Sequence, residues 1–590
     1  MGSTHDDPVG RLWLRWLLLF WAVAAFMLIA WKWGAIHWFA LGDTDDNLRI
    51  AEVRAWLQGQ GWFDLRQYKL DPPGGANIHW SRLVDLPIAG LILAIKPFFG
   101  GVLAEKWAVA IAPLIALGAA MVALALTARR LVAPSAYPLM ILTLACAANV
   151  IGMFMPLRID HHGWQLAFLA LALAGIADPA RGRGGATLGA ATALSLTIGL
   201  EMFPYLALAA GITGLRWVAD ESEAARLRGY GAALAAGCAI GFLLFASHAN
   251  RGPVCDALSP VWLSAALGGG ALLVGLSMIP ARDWRVRLAL AAGAGVLVLG
   301  GFAFAWPHCL SRPEGVSPEL DTLWLSHVRE ARPIYSHGWR VAVPTAALPL
   351  IGLIGTGWAL WQTQRTPRFL PWLGVALLAL TADALLLWQL RAAAAAQLLA
   401  LPGAVALGWA LLPHVARHRE LAVRIAGPVL LLLVTTGVAA RIIVDAIPAA
   451  PTTKYRKSIR TANARCPTLP ALAPIAKLPP ATILTFVDFG PRLIATTKHK
   501  AIAGPYHRNG AAILDVQHAF RGTEDNARAI MLRHGASMVL ICPGMSESTI
   551  YAAEAKTGFY TQLRDNRAPA WLEPVALPKG SPFKLWRVRD

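Results

Sequence analysis

Apolar residues are grouped along this chain in long runs, and a helix that crosses a bilayer needs about 20 of them. The first run has no A-x-A-like cleavage site after it, which favours a retained anchor over a signal peptide. The pattern predicts a polytopic α-helical membrane protein with about 13 transmembrane helices. The runs cover residues 12–33, 105–127, 135–155, 164–178, 186–202, 203–218, 230–248, 260–280, 286–306, 341–362, 369–389, 395–413 and 425–446.

One shorter apolar run, residues 86–101, is ambiguous. It contains Pro87, Lys96 and Pro97, so it is either a short span or a helix that lies in the membrane interface. Because runs this short are more often interfacial, we predict an interfacial helix. One more span here would exchange the two sides of the membrane for every later loop.

Basic residues test this topology, since cytoplasmic loops are enriched in Lys and Arg. With a cytoplasmic N-terminus, all the short basic turns fall on the inner side, and the long loop 34–104 and the tail after Ala446 fall outside. This placement accounts for the net charge of +19 without nucleic acid as a partner. We expect a bacterial inner membrane with a periplasmic tail. The inner turns hold Arg11, Arg15, Arg129, Arg130, Arg181, Arg183, Arg216, Arg226, Arg228, Arg282, Arg285, Arg287, Arg365, Arg368, Arg417, Arg419 and Arg424.

The composition agrees with this class. Apolar residues make up 56% of the chain and charged residues 15%, with a mean hydropathy of +0.51. A soluble domain carries about 25% charged residues, and a disordered chain combines low hydrophobicity with dense charge. Both classes are therefore excluded.

After Ala446 the sequence becomes Pro-rich and then contains short β-like runs with helical sequence between Asn526 and His534. We therefore divide the chain into a transmembrane domain, residues 1–446, and a small extracytoplasmic α/β domain, residues 447–590. The predicted strands cover residues 481–487, 492–495, 500–504, 537–543 and 583–588.

Four cysteines fall on the predicted outer side, where disulfides persist. Two disulfides, one between the outer loops and one within the tail, and four free thiols remain alternatives. The spacing of Cys and His does not indicate a zinc site. The four cysteines are Cys255, Cys309, Cys466 and Cys542.

The strongest candidate for chemistry is the segment G-D-T-D-D-N-L-R, residues 42–49. Asp43, Asp45 and Asp46 repel one another and need a cation, hydrogen-bond donors or protonation to be tolerated at a membrane surface. A divalent metal would satisfy them with oxygen ligands. The alternative is a solvated loop in which Asp46 or Asn47 caps an amphipathic helix over 48–59.

A second polar cluster, R-I-D-H-H-G-W-Q at 158–165, lies between two apolar runs on the same predicted side. Asp160 and His162 are separated by one residue and can reach one metal, whereas pairing of Arg158 with Asp160 is the structural alternative. Glu201, at the outer end of a span, can face the same cavity. Ionisable groups at such positions are costly and therefore often functional.

Further candidates for substrate contacts lie in the first loop and the tail. Sugars bind to aromatic faces and fixed hydrogen-bonding groups, which His79, Trp80 and Arg82 offer. In the tail, Lys498, Lys500, His507 and Arg508 form a basic group suited to phosphate. Arg391, at a span end, can meet a lipid phosphate, although snorkelling is its ordinary explanation.

These motifs resemble those of the GT-C glycosyltransferases, and most closely the oligosaccharyltransferase catalytic subunits. D-T-D-D-N-L-R resembles the acidic first-loop motif that ends in an Arg, here Arg49, and D-H-H resembles the D-x-H form of the second motif. The resemblance implies metal ligation by Asp43, Asp160 and His162. The tail lacks the W-W-D-x-G signature, which reads the Thr or Ser of an Asn-x-Thr/Ser acceptor, so protein N-glycosylation does not follow from the resemblance.

We therefore predict an inverting GT-C-type transferase that moves a sugar or oligosaccharide from a polyprenyl phosphate or diphosphate to a glycan, lipid or protein acceptor on the outer face. Asp43 is the first choice for the catalytic carboxylate among Asp43, Asp45 and Asp46, with Mn²⁺ or Mg²⁺ as the metal. The alternative is a lipid-linked saccharide flippase, for which charges at mid-membrane are expected. The ionisable groups instead concentrate at one face.

Overall fold

The computed structural model describes residues 12–311, 315–449 and 451–589. Helices, most of them long, make up most of the N-terminal three quarters of the chain. They are α1 (Trp13–His37), α2 (Thr44–Leu57), α3 (Arg82–Leu131), α4 (Tyr137–Cys146), α5 (Ala148–Ile151), α6 (His162–Ala177), α7 (Arg181–Ile198), α8 (Phe203–Ala219), α9 (Ala224–Phe245), α10 (Pro260–Leu276), α11 (Trp284–Ala305), α12 (Pro318–Leu323), α13 (Trp339–Thr363), α14 (Phe369–Leu386), α15 (Ala393–Ala416), α16 (Leu421–Thr435) and α17 (Val438–Ala446).

Each of the predicted apolar runs coincides with a helix or with a bent helix pair. In the described part of the chain, seven helices are long and apolar enough to cross a membrane, or up to nine if each of two bent pairs forms one span. Helices α6 and α10 are apolar but shorter. The prediction of a polytopic helical membrane protein is confirmed, and the count of 13 spans stays a prediction.

Helix α3 joins the run predicted to be interfacial to the span that follows it. Gly100 interrupts the helix with φ at 77°, a left-handed conformation that glycine adopts without steric cost. Residues 86–101 therefore form the part of α3 up to this break, and residues 105–127 lie beyond it. An interfacial position for the first part stays a prediction.

The C-terminal part combines a five-stranded sheet with short helices, as the α/β pattern predicts. The strands are β3 (Thr482–Leu484), β4 (Lys500–Ala501), β5 (Met538–Ile541), β6 (Leu572–Pro574) and β7 (Lys584–Val588). They lie in the order β4-β3-β5-β7-β6, in which β3 is parallel to β4 and β5, and β7 is antiparallel to β5 and β6. The helices are α18 (Lys454–Arg465), α19 (Leu469–Ala476), α20 (Gly490–Thr496), α21 (Gly510–Arg521), α22 (Glu524–Arg533), α23 (Ser546–Glu554) and α24 (Phe559–Arg564).

Two details of this domain differ from the predictions. The strand predicted at 492–495 is wrong, because these residues lie in α20, which has Pro491 in its first turn. Proline suits that position because its fixed φ is helical and the missing N–H has no partner there. Strand β6 was not among the predicted runs.

The segment between α1 and α3, which belongs to the predicted outer loop 34–104, packs against the C-terminal domain. Strands β1 (Arg66–Gln67) and β2 (Ala76–Asn77) form a small hairpin, and Leu70 forms a β-bridge with Ala501, the last residue of β4. Leu48 of α2 and Ile78 share one apolar core with the buried residues of the C-terminal domain. The membrane domain and the tail are therefore joined by a continuous core at this loop.

The four cysteines that are predicted to lie on the outer side form two disulfides. Cys255 pairs with Cys309, which links the loops that precede α10 and follow α11. Cys466 pairs with Cys542, which links the end of α18 to the end of β5. Both pairings match the first alternative from the sequence.

Candidate functional site

The acidic first-loop segment forms the start of α2. Asp43 is the N-cap residue, and its side chain accepts a hydrogen bond from the backbone N–H of Asp45 at 3.1 Å. Asp45 and Asp46 lie in the first turn, where the positive end of the helix dipole favours carboxylates. The cap is Asp43 rather than the predicted Asp46 or Asn47, so the helix begins earlier than the sequence indicates.

The second polar cluster meets this helix start. One carboxylate oxygen of Asp46 accepts the backbone N–H of Ile159 at 2.8 Å and that of Asp160 at 3.1 Å. The guanidinium of Arg158 binds Asp43 at 2.5 Å and Asp160 at 2.7 Å. The two segments, more than a hundred residues apart in sequence, are thus fixed against each other.

A group of three side chains suits a divalent cation. Asp45, Asp160 and His162 each offer one ligand atom, and these atoms lie within 4.8 Å of one another. Asp160 also accepts the backbone N–H of His162 at 3.0 Å, which fixes the turn between them. The group contains the predicted ligands Asp160 and His162 but has Asp45 in the place predicted for Asp43, which pairs with Arg158 instead.

The electrostatics of the site favour a bound cation. Burial, followed by the charges of Asp43 and Asp160, raises the pKa of Asp45 to about 7. Burial opposes the charged form of Asp160, but His162 and Arg158 lower its pKa below the ordinary value. Three carboxylates, those of Asp43, Asp46 and Asp160, lie within 3.6 Å of the Arg158 guanidinium, and the carboxylate of Asp45 lies near Asp160. A divalent ion would offset the remaining negative charge and keep Asp45 ionised.

Glu201 lies beside this group. It accepts hydrogen bonds from His161 and Gln165, each at 2.8 Å. Burial opposes its charge, but the neighbouring His161 holds the pKa of Glu201 well below its usual range. The Glu201 side chain is 26% exposed, which leaves room for a substrate. A substrate contact by Glu201 stays a prediction.

Three predicted contact residues are buried beneath the site. The Arg49 guanidinium lies 4.3 Å from the Trp80 ring and binds Asp85 at 3.0 Å. Arg82 binds the other oxygen of Asp85 at 3.1 Å. Arg49, Trp80 and Arg82 are each at most 2% exposed, which places them in the support of the site rather than on its surface.

Of the predicted basic group of the tail, Lys498 and Lys500 are exposed, whereas His507 and Arg508 are paired within the protein. His507 and Arg508 both bind Asp256, at 2.7 and 2.6 Å, and the ring of His507 lies 4.7 Å from that of His79. Their charge is therefore partly satisfied within the protein. Arg391 is exposed in a short 3₁₀ turn after α14, where a lipid contact stays a prediction.

Asp488 is a residue that the sequence reasoning missed. It follows β3 in F-V-D-F-G, residues 486–490, and the carboxylate of Glu547 holds this turn by accepting the backbone N–H groups of Val487 and Asp488. The Asp488 side chain is exposed to solvent on one side. Desolvation by the surrounding protein, followed by the charge of Asp43, raises the pKa of Asp488 to about 6. Asp488, Phe489 and Gly490 have the D-x-G spacing that ends the W-W-D-x-G signature, and this spacing is the local signal in the sequence that points to Asp488.

The fold and this site can be compared with known proteins. The archaeal oligosaccharyltransferase AglB from Archaeoglobus fulgidus, in complex with an inhibitory peptide and a dolichol-phosphate, matches with a TM-score of 0.66 and 15% identity over 92% of this chain and 72% of that one. The same enzyme tethered to an acceptor peptide with the NVT sequon gives a TM-score of 0.63 at 15% identity, over 92% and 71% of the two chains. Its complex with Zn and sulfate gives 0.60 at 14% identity, over 97% and 73%.

No protein-family model matches the sequence, and a search of curated proteins finds no match. The structural comparisons show that this chain shares the fold of AglB. The predicted resemblance to the oligosaccharyltransferase catalytic subunits is therefore confirmed at the level of the fold.

Proposed function

We propose that this protein is a membrane glycosyltransferase that takes a sugar or oligosaccharide from a polyprenyl-phosphate-type lipid and transfers it to an acceptor on the periplasmic face. The observation that carries the proposal is the convergence of Asp45, Asp160 and His162 from two outer segments within 4.8 Å. In a GT-C fold, a cation-binding group at this place is suited to a substrate phosphate. AglB binds dolichol-phosphate in its matched structure, which supports a polyprenyl carrier.

The residues have separate roles in this proposal. Asp45, Asp160 and His162 would hold Mn²⁺ or Mg²⁺, which supplies positive charge against the departing phosphate. An imidazole among the ligands favours Mn²⁺ of the two, and the AglB complex with Zn and sulfate supports a divalent cation. Arg158 holds Asp43 and Asp160 at fixed positions on one guanidinium.

Asp43 remains our first choice to orient the acceptor nucleophile and receive its proton. Its side chain is 39% exposed and faces Asp488 of the C-terminal domain, so an acceptor group can reach it. Inversion follows from direct attack on the sugar carbon opposite the phosphate. Asp46, whose carboxylate accepts two backbone N–H groups, positions the loop rather than the substrate.

The experiment is a transfer assay with the purified full chain and polyprenyl phosphates and diphosphates that carry labelled sugars. We expect label to leave the lipid, chelator to stop the release, and added Mn²⁺ or Mg²⁺ to restore it. The chemical nature of the labelled product identifies the acceptor as glycan, lipid or protein. Label that crosses a vesicle bilayer but stays on its lipid would instead show a flippase.

A further inference from the structure

A second group of metal-binding side chains lies apart from the first. His79, Asp256 and His507 each offer one ligand atom, and these atoms lie within 4.8 Å of one another. His79 follows β2 in the first outer loop, Asp256 lies in the loop between α9 and α10, and His507 precedes α21. Three distant segments therefore contribute to the group.

The group includes a buried imidazole nitrogen for which the described residues supply no partner. His507 Nε2 lies 2.7 Å from Asp256 Oδ2. The Nδ1 atom of His79 is buried and has no hydrogen-bond partner among the residues that the structure describes. A buried polar atom without a partner is destabilising, and a bound metal ion is one way in which its lone pair is satisfied.

We propose that His79, Asp256 and His507 bind a zinc ion. Two imidazoles and one carboxylate form a typical zinc ligand set, with the fourth position open to water. Zinc–ligand bonds of about 2.0–2.2 Å place tetrahedral ligands roughly 3.3–3.6 Å apart. His507 Nε2 and Asp256 Oδ2, now 2.7 Å apart, would separate by less than about 1 Å to admit the ion. Mg²⁺ prefers oxygen ligands and does not suit this set.

Arg508 binds both oxygens of the same carboxylate. Its Nε atom donates to Asp256 Oδ2 at 2.7 Å, and Nη2 donates to Oδ1 at 2.6 Å. Such partners orient a metal-binding carboxylate and tune its affinity. Binding of zinc replaces the hydrogen bond between His507 and Asp256 by two metal–ligand bonds and leaves the ion pair with Arg508 in place.

The zinc ion would connect the C-terminal domain to the membrane domain. Asp256 is adjacent to Cys255, whose disulfide with Cys309 already anchors that loop. His79 is adjacent to Trp80, which packs against His161 with ring centroids 5.4 Å apart. The site therefore holds together the segments that support the candidate active site. This inference does not depend on the proposed transferase activity.

The test uses the full chain without an affinity tag in detergent, and it measures bound zinc after metal removal and dialysis against Zn²⁺. The background variant Asp160→Asn/His162→Asn removes the first metal group, so zinc that remains belongs to the second. We expect one bound zinc in this background, and a loss of affinity of about 100-fold or more when His79→Gln or His507→Gln is added. Co²⁺ in place of zinc should give tetrahedral absorption bands that the same variants abolish.

His518→Gln is the matched control, because His518 pairs with Glu319 at the surface of the same domain. It should retain the zinc and the cobalt spectrum. In the background variant, zinc should also raise the melting temperature, and His79→Gln should abolish that rise. Equal zinc content and equal melting shifts in the background variant with and without His79→Gln would overturn the proposal.

Discussion

Three neighbouring carboxylates of the first loop have three different surroundings. Asp43 caps α2 and pairs with Arg158, Asp45 faces Asp160 and His162, and Asp46 accepts the backbone of the second polar segment. From the sequence, all three are candidates for the catalytic carboxylate. Their separation depends on the residue at which α2 begins, because each step around a helix turn points a side chain in a new direction.

The first prediction concerns Asp45→Asn. The substitution removes a metal ligand, and we expect transfer to fall about 100-fold or more. The melting temperature should not decrease, since burial and two nearby carboxylates already raise the pKa of Asp45 to about 7. The transfer assay and thermal unfolding of the same sample test this. Asp565→Asn, an exposed carboxylate of the C-terminal domain, is the control, and full activity of Asp45→Asn would exclude Asp45 as a ligand.

The second prediction concerns Glu52, a buried carboxylate of α2 that lies 3.8 Å from Arg49. Burial, followed by the charge of Asp85, raises the pKa of Glu52 from 4.5 to about 8. The folded state therefore binds this proton more tightly than the unfolded state does. The resulting stabilisation is fully present below pH 4.5 and is lost as the pH rises through 8.

Glu52→Gln removes this titration. Relative to wild type, the variant should become more stable as the pH is raised from about 5 to about 8.5. Melting temperatures of both proteins across this range test the prediction. A difference between the two proteins that does not change with pH would show that Glu52 is ionised in the folded state throughout.

At the scale of elements, α2 is held between the membrane domain and α20. Arg492 of α20 donates to the backbone carbonyls of Pro467 and Phe39, at 2.7 and 3.1 Å, and to the Asn47 side chain at 3.1 Å. The short run of residues around Arg492 favours a strand by its composition, but it is too short to exclude a helix. Pro491 decides between them, because it suits a first helical turn.

The third prediction is that Arg492→Met destabilises the docking of the C-terminal domain. The substitution removes the donor of three hydrogen bonds, and of the three acceptors the Phe39 carbonyl still receives the N–H of Leu41. We expect a loss of about 1–3 kcal/mol. Thermal unfolding and protease cleavage between α17 and α18 measure the effect. Arg533→Met, which removes an exposed pair with Asp515, should change neither. Equal protease resistance of the Arg492 variant and wild type would mean that the apolar core alone holds the domain.

At the scale of the whole molecule, hydropathy alone predicts the helices, because each long apolar run must be buried in lipid or protein. The same signal does not predict that Leu48 and Ile78 of the first loop join the C-terminal core. This contact pairs segments hundreds of residues apart, and no local pattern encodes it. Asp256 was missed for the same reason, since it becomes a candidate only beside its distant partners, whereas Asp488 has the local signal D-x-G.

The fourth prediction concerns the orientation of the molecule. The short basic turns should be cytoplasmic, and the candidate site should face the other side. A reporter that is active only outside the cytoplasm should be active when fused after Asp590 and silent when fused after Arg183. The opposite pattern would mean that residues 86–101 cross the membrane and that the site faces the cytoplasm.

The most direct test of the central claim is the transfer of labelled sugar from a polyprenyl-linked donor by wild type and by Asp160→Asn. The substitution keeps the volume of a residue that both Arg158 and the metal group use. We predict transfer by the wild type, and a loss of at least about 100-fold in the variant with its fold intact by gel filtration. Equal transfer by the two proteins would contradict the account.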